Sequence, residues 1–165
     1  MGMSVTISVA TEQDVEQIFK LQYLSFQSEA ALYGNYRIDP LVQTLDSVRQ
    51  EVAADCVFVA RLGEEVVGSV RGRVTEDGSA AIGKLCVHPR LQGHGIGARL
   101  LRAAEGALVE ERGATRFRLY TGHRSEGNLR LYRRVGYETV GTSQGADGVP
   151  MIVLEKKAEA YATTA

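Results

Sequence analysis

Three glycines, Gly93, Gly95 and Gly97, alternate with other residues in the middle of the chain. The apolar stretch at residues 80–88 precedes them, and a stretch with one apolar stripe follows at residues 98–112. This order predicts a strand, a glycine loop and a helix. Glycines let the backbone pass close to a ligand, and the loop amides and the helix dipole favour an anion. The sequence therefore predicts a phosphate-binding loop.

The spacing of the glycines distinguishes among the known phosphate loops. The Gly-Lys-Ser/Thr sequence of a nucleotide triphosphatase does not occur in this segment. A dinucleotide-binding loop needs Gly-x-Gly-x-x-Gly and an acidic residue at the end of the next strand, where residues 120–124 read Tyr-Thr-Gly-His-Arg. Neither loop fits, whereas Gln-x-x-Gly-x-Gly is present as Gln92, Gly95 and Gly97.

The length of 165 residues fits one domain, which we expect over residues 1–157, with a frayed tail at 158–165. Apolar periodicity predicts the order strand, two helices, three strands, helix, strand, helix, two strands. The first two helices are expected at about residues 11–31 and 39–54. Because a helix connects the fourth and fifth strands, these two strands are expected to be parallel.

The helix predicted at residues 98–112 is amphipathic, so one side of it is expected to face the core and the other to face away. The apolar stripe consists of Leu100, Leu101, Ala104, Ala107 and Leu108. The residues expected to face away from this stripe are Arg99, Arg102, Glu105 and Glu110.

Charge is distributed unevenly along the chain, although the net charge is −1. Residues 1–83 hold 12 acidic and 6 basic side chains, and residues 84–134 hold 11 basic and 4 acidic ones. This asymmetry predicts an anionic ligand on one side and a cationic ligand on the other, although solvated helix faces explain several of the charges equally well. No nucleic-acid partner is expected, because the basic residues alternate with apolar ones rather than form a patch with stacking aromatic rings.

Several other functions are excluded by the absence of their sequence features. No apolar run approaches the ~20 residues of a membrane helix, and residues 1–8 lack a basic stretch followed by an apolar one. We therefore expect a cytoplasmic protein without a membrane partner. Cys56 and Cys86 lie in apolar, β-branched surroundings and are interpreted as reduced core thiols. His88 and His94 have no partners at metal-ligand spacing, so no metal is expected.

Two sequence blocks resemble those of a known family. Val87-His88-Pro89 stands directly before the glycine loop, and residues 128–137 read Asn-Leu-Arg-Leu-Tyr-Arg-Arg-Val-Gly-Tyr. Together with the Gln-x-x-Gly-x-Gly spacing, these blocks resemble the GNAT N-acetyltransferase superfamily over nearly the whole chain. The resemblance implies an α/β (α+β) GNAT fold, with a single mixed, mostly antiparallel sheet of about seven strands. Four helices flank the sheet, and strands 4 and 5 splay apart.

The resemblance implies acetyl-CoA as the cofactor. In the family, the pyrophosphate rests on the loop amides, the pantetheine arm pairs with the fourth strand, and an asparagine holds that arm. The residues so implied are Leu85, Cys86, Val87, Gln92, Gly93, His94, Gly95, Ile96, Gly97, Ala98, Asn128 and Tyr132.

The resemblance also implies an N-acetyltransferase that moves an acetyl group to a primary amine of a small molecule or peptide by direct attack. The Val87 amide would stabilise the oxyanion, and Tyr132 would protonate the departing thiolate. Alternatively, Tyr132 packs the last helix onto the sheet. A catalytically silent acyl-CoA-binding or sensing domain is the second functional hypothesis. Because dimers are frequent in the family, a homodimer is a further implied assembly.

The general base is not assigned by the sequence. Many family members carry a glutamate near the start of the fourth strand, where residues 79–83 read Ser-Ala-Ala-Ile-Gly. His123, at the end of the fifth strand, is the first substitute candidate and Glu29 the second. A loop histidine without a role is the alternative for His123.

The acceptor is expected to bind against the first two helices and the loop that joins them. Acidic and aromatic side chains there suit a cationic amine, by charge and by cation–π contact. The candidate acceptor-binding residues are Phe26, Glu29, Tyr33 and Tyr36, with Asp39 nearby.

Overall fold

The computed structural model describes residues 4–145 and 148–159, which contain a seven-stranded sheet in the order β1-β2-β3-β4-β5-β7-β6. The strands are β1 (Val5–Val9), β2 (Cys56–Leu62), β3 (Glu65–Val74), β4 (Ser79–Val87), β5 (Arg116–Gly122), β6 (Glu138–Gln144) and β7 (Pro150–Lys157). Neighbouring strands are antiparallel except β4 and β5, which are parallel. The predicted mixed, mostly antiparallel sheet is confirmed.

Helices in the described part of the chain are α1 (Val15–Ser25), α2 (Gln27–Tyr33), α3 (Asp39–Val42), α4 (Leu45–Ala54), α5 (Ile96–Arg112) and α6 (Glu126–Arg134). Each of the two predicted N-terminal helices is divided in two. The first is interrupted at Phe26, and the second at Gln43 and Thr44. Gln43 and Thr44 are extended, and the Thr44 side chain accepts a hydrogen bond from the Ser47 amide (3.1 Å). A threonine in this position is a signal for a new helix start.

The splay between β4 and β5 begins after a short parallel contact. Only residues 79–81 of β4 pair with residues 116–118 of β5. Further along, β4 has one extra residue relative to β3, so that Lys84 and Leu85 lie opposite Val70. Lys84 has a φ of 49°, in the left-handed region that few residues other than glycine adopt. This bulge bends β4 beside the gap and confirms the predicted splay.

One side chain of α5 contradicts the sequence-based prediction. The helix packs against β2, β3 and β4 with its leucine stripe buried, as predicted. Glu105, which was expected to face away, is instead fully buried. Its carboxylate lies 2.9 Å from Lys156 Nζ, and Tyr137 Oη donates to it at 2.7 Å. The prediction was wrong because these partners come 32 and 51 residues later in the chain, beyond any local pattern.

The C-terminal end is described only in part. Of the tail predicted at residues 158–165, Ala158 and Glu159 are described, and the Ala158 amide donates to Thr115 O (3.0 Å). The other residues of the predicted tail lie outside the described residues, and the domain boundary at residue 157 stays a prediction. Among the described residues, no helix is both long and apolar enough to cross a membrane.

We predict that Lys156→Met destabilises the protein by about 3–5 kcal/mol, because it removes the cation that compensates the buried Glu105 carboxylate. Urea denaturation measures the change in the free energy of unfolding. The neighbouring Lys157 is exposed, so Lys157→Met is the matched control and should change that free energy by less than about 0.5 kcal/mol. Equal losses in the two variants would show that the buried ion pair does not stabilise the fold.

Candidate active site

The gap between β4 and β5 opens into two cavities that meet. The loop cavity, of about 550 Å³, lies beside the glycine loop and α6. The acceptor-side cavity, of about 400 Å³, lies beside residues 33–40 and the ends of β5 and β7. Both are lined by Phe26, Glu29, Leu85 and Asn128, which therefore mark the junction between them.

Most of the predicted cofactor residues line the loop cavity. These are Leu85, Cys86, Val87, Gln92, Gly93, Gly95, Ile96, Gly97, Ala98 and Asn128. His94 is exposed and lies outside this lining, and Tyr132 lines the acceptor-side cavity instead.

The glycine loop has the backbone conformation that an anion site needs. Gly93 and Gly95 have φ values of 84° and 79°, and a Cβ on either would meet nothing within 4 Å. Gly95 caps the 17-residue helix α5, whose first residues line the cavity. The first N–H groups of a helix have no partners within it, and the helix dipole makes this end positive. The loop and the helix together form a cradle for phosphate.

Two cationic side chains at this site were not singled out by the sequence analysis. Arg130 and Arg134 of α6 line the loop cavity and add positive charge to that of the helix end. Their spacing of four residues, which places them on one side of a helix, was the only available signal.

Cys86 lines the same cavity as a buried thiol, and burial raises its pKa, which agrees with a packing role rather than a nucleophilic one.

The Val87 amide points into the gap. The next residue, His88, donates its backbone N–H to Val67 O of β3 (2.8 Å). Because successive N–H groups of an extended chain point to opposite edges, the N–H of Val87 points away from β3 and towards β5. On the same edge, Val87 O accepts from Gln92 Nε2 (3.3 Å) and Ser25 Oγ (3.4 Å). This orientation agrees with the role implied for the amide, which stays a prediction.

Glu29 lies where the two cavities meet. Ser125 Oγ donates a hydrogen bond to Glu29 Oε1 (3.2 Å). Burial raises the pKa of Glu29, and the hydrogen bond from Ser125 opposes that rise in part. A carboxyl with a raised pKa in a cleft can accept a proton nearer to neutral pH than an exposed carboxyl can.

Tyr132 is buried on α6 and lines the acceptor-side cavity. Burial, followed by the charge of Glu29, raises the pKa of Tyr132 well above its usual range. The hydroxyl therefore stays protonated at working pH and can only donate a proton or a hydrogen bond to an anion. Its ring also packs beside Tyr137, with 6.2 Å between ring centroids, so the packing role is present as well.

The other predicted base, His123, is exposed and lines neither cavity. Its Nδ1 lies 3.2 Å from Pro150 O, and its ring centroid is 6.0 Å from that of Tyr33. The structure thus brings Glu29, and not His123, to the junction of the cavities.

Of the predicted acceptor-binding residues, Phe26 and Tyr33 line the acceptor-side cavity, whereas Tyr36 is 57% exposed and does not.

The acceptor-side cavity is mainly apolar. Its apolar lining includes Phe26, Ile38, Pro40, Ile82, Leu119 and Met151. The predicted acid Asp39 also lines it but pairs with Lys84 Nζ (2.7 Å), whereas no ion pair to Glu29 exists among the described residues. Within residues 4–145 and 148–159, no group of three or more His, Cys, Asp and Glu side chains is arranged to hold a metal ion.

A comparison with family models finds the model described as "Acetyltransferase (GNAT) family" over residues 15–137, well over half of the chain. The chain belongs to this acetyltransferase family. The resemblance found in its sequence blocks is thereby confirmed. No curated protein sequence matches the chain as a relative.

Solved structures of other acetyltransferases share the GNAT fold. The PaiA N-acetyltransferase of Thermoplasma acidophilum, in complex with coenzyme A, is 18% identical with a TM-score of 0.78, covering 94% of this chain and 99% of its own. YncA of Salmonella typhimurium, with acetyl-CoA, is 17% identical with a TM-score of 0.74, and the match covers 93% of this chain and 94% of YncA. The aminoglycoside acetyltransferase AAC(6')-Ib, with coenzyme A and kanamycin, is 22% identical with a TM-score of 0.72, covering 98% and 99%. The predicted cofactor agrees with the ligands of these three proteins.

We predict that Gly95→Ala weakens acetyl-CoA binding about tenfold, because a side chain strains the left-handed φ and fills the space where a phosphate approaches the backbone. Titration calorimetry with acetyl-CoA measures the Kd. The matched control is Gly113→Ala at the other end of α5, where φ is also positive and the surroundings are open. Both variants should lose similar stability, and equal Kd values in the two would contradict a role of Gly95 in binding.

Proposed function

We propose that this protein transfers the acetyl group of acetyl-CoA to a primary amine of a small molecule or peptide by direct attack. The observation that carries the proposal is the position of Glu29, a half-buried carboxyl at the junction of a phosphate-binding cavity and a mainly apolar one. Tyr132 stands on the acceptor side of this junction, close enough for the Glu29 charge to raise its pKa.

The loop cavity fits acetyl-CoA by the chemistry of its lining. The α5 N-terminus with Arg130 and Arg134 suits the phosphates, and the β4 edge beyond residue 81 lacks a pairing with β5 and suits an extended arm. When bound, acetyl-CoA supplies the acetyl group as an activated thioester. Asn128, which lines both cavities, is the residue we assign to holding the arm at their junction.

Each residue at the junction has a separate task in this proposal. Glu29 accepts the proton of the incoming ammonium group, and its raised pKa suits it to do so. The Val87 amide donates a hydrogen bond to the developing oxyanion. Tyr132 is assigned to the departing thiolate, which would lie at the junction that Tyr132 faces from the acceptor side. Because its pKa is far above the ~8.5 of a thiol, it stabilises the thiolate by donating a hydrogen bond rather than by complete proton transfer. The nitrogen–carbon bond forms as the carbon–sulfur bond breaks, and the second proton, which the nitrogen loses on becoming an amide, passes to the thiolate, so that CoA leaves as the thiol.

The acceptor that fits this cavity is an amine on an apolar body. Apolar side chains dominate the lining, the charges of Asp39 and Lys84 offset each other, and the exposed Arg37 is the other charged side chain besides Glu29. Glu29 is then the carboxylate that remains to bind one cationic group, whereas a polycation would need several. Primary amines such as 2-phenylethylamine match this arrangement.

We predict that Glu29→Gln lowers kcat about 10²–10⁴-fold with 2-phenylethylamine, because the base is lost while shape and volume are kept. In the unmodified protein, kcat/KM should fall as the pH falls through the raised pKa of Glu29, since only the ionised carboxylate accepts a proton. In the variant, the pH profile of kcat/KM should lack this fall on its acidic limb, and the variant should still bind acetyl-CoA.

If the unmodified protein binds acetyl-CoA at micromolar concentration but releases no CoA with a broad panel of amines, the catalytically silent alternative holds.

Tyr132→Phe should lower kcat about 100-fold and change the Kd for acetyl-CoA less than twofold, because only the donor on the leaving side is removed. CoA release and titration calorimetry measure the two quantities. Tyr23→Phe, at an exposed tyrosine of α1 outside both cavities, is the control and should leave both unchanged. Equal turnover in Tyr132→Phe and the unmodified protein would leave Tyr132 with its packing role alone.

Two further parts of the proposal concern assembly and location. The homodimer implied by the resemblance and the cytoplasmic location stay predictions. The edge strand β6 supports the homodimer, because it is exposed along all seven residues and an exposed strand edge can pair with a second copy.

A further inference from the structure

A chain of hydrogen bonds connects the loop after β5 to Glu29. The Arg124 amide donates to Tyr33 Oη (3.0 Å), and Tyr33 Oη lies 2.7 Å from Ser125 Oγ. Ser125 Oγ in turn donates to Glu29 Oε1 (3.2 Å). Because the only hydroxyl proton of Ser125 goes to the carboxylate, Tyr33 must be the donor to Ser125. All three bonds therefore point in one direction, towards Glu29.

We propose that Tyr33 and Ser125 are positioning residues for Glu29. Tyr33 orients the Ser125 hydroxyl, and Ser125 holds one carboxylate oxygen so that Oε2 is left for the amine. The importance of this arrangement for catalysis rests on the proposed function, in which Glu29 is the base. The hydrogen bonds themselves do not depend on it.

Close packing fixes Tyr33 in this position. A Cβ on Gly122 would overlap the Tyr33 hydroxyl and ring, so a larger residue at the end of β5 would displace α2 or the tyrosine. Ser125 is also held from its own side, because its amide donates to Gly122 O (3.0 Å) and its residue is 8% exposed. Gly122 is therefore the contact through which β5 sets the distance between Tyr33 and Ser125.

The hydrogen bond from Ser125 acts against burial. A donor to a carboxylate favours the ionised form, so Ser125 lowers the pKa of Glu29 while burial raises it. Glu29 borders two cavities, whose other titratable or charged groups include Tyr132 on α6, Tyr33 on α2, the Asp39–Lys84 pair and Arg37 on the acceptor side. On the loop side they are Cys86 on β4 and Arg130 and Arg134 on α6. Among the described residues, Ser125 is the group that donates a hydrogen bond to the Glu29 side chain.

Carbon-13 NMR of protein labelled at the glutamate carboxyl groups tests this proposal without needing turnover. The signal of Glu29 is the one that Glu29→Gln removes. We predict that Ser125→Ala raises its titration midpoint by about one pH unit, the size expected for losing a hydrogen bond to a charged group. Tyr33→Phe and Gly122→Ala should raise it less, because Ser125 keeps its hydroxyl but loses the donor that orients it.

Matched controls and a second readout separate positioning from general damage. Ser143→Ala on exposed β6 and Tyr23→Phe on α1 should leave the midpoint unchanged, and titration with acetyl-CoA should show that every variant is folded. In Ser125→Ala, the pH at which kcat/KM with 2-phenylethylamine falls on the acid side should rise by the same amount as the NMR midpoint.

The possible outcomes distinguish this inference from the proposed function. An unchanged midpoint in folded Ser125→Ala would overturn the positioning role even if acetyl transfer continues. A raised midpoint together with a shifted acidic limb supports both proposals. A raised midpoint in a protein that acetylates no amine supports the hydrogen-bond chain and overturns the proposed function alone.

Discussion

The parallel pairing of β4 with β5 ends at Ala81, and the rest of the site depends on that ending. Buried backbone groups are costly when they lack partners, so the free edge of β4 must be satisfied by side chains or by a ligand. Gln92 and Ser25 satisfy the Val87 carbonyl. The Val87 amide faces the same gap, where the proposed acetyl-CoA would accept its hydrogen bond. Here the interruption of the sheet itself creates the binding surface.

Ion pairs secure the bulge that accompanies this interruption. Lys84 adopts a left-handed conformation that costs about 1 kcal/mol or more outside glycine. Its ammonium group lies 2.7 Å from Asp39 and 3.3 Å from Glu51, on α3 and α4. The strained strand residue is therefore anchored to α4 and to α3, which contributes Asp39 and Pro40 to the lining of the acceptor-side cavity. The bulge and the acceptor wall are connected through one side chain.

Local sequence patterns predicted the conformation of the glycine loop and the helix after it, and non-local contacts explain what was missed. The segment from Gln92 to Gly97 defines its own conformation, because positive φ values and the start of a helix depend on neighbouring residues. The surroundings of Glu29, by contrast, include a hydrogen bond from Ser125, which comes 96 residues later in the chain. The burial of Glu105 also depends on distant partners. The break between α3 and α4 did have a local signal, because Thr44 is a residue type that starts helices. The apolar helical spacing on both sides of it favoured one continuous helix.

Apart from the four residues that they share, the two cavities are built from largely different stretches of the chain. The loop cavity draws most of its lining from residues 85–98 and 127–134, whereas the acceptor-side cavity draws on residues 26–40, 119–122 and the start of β7. Changes in residues 35–40 can therefore alter which acceptor fits and leave the lining of the loop cavity unchanged. The donor half and the acceptor half of the reaction can vary separately, so one cofactor site can be combined with many acceptor sites.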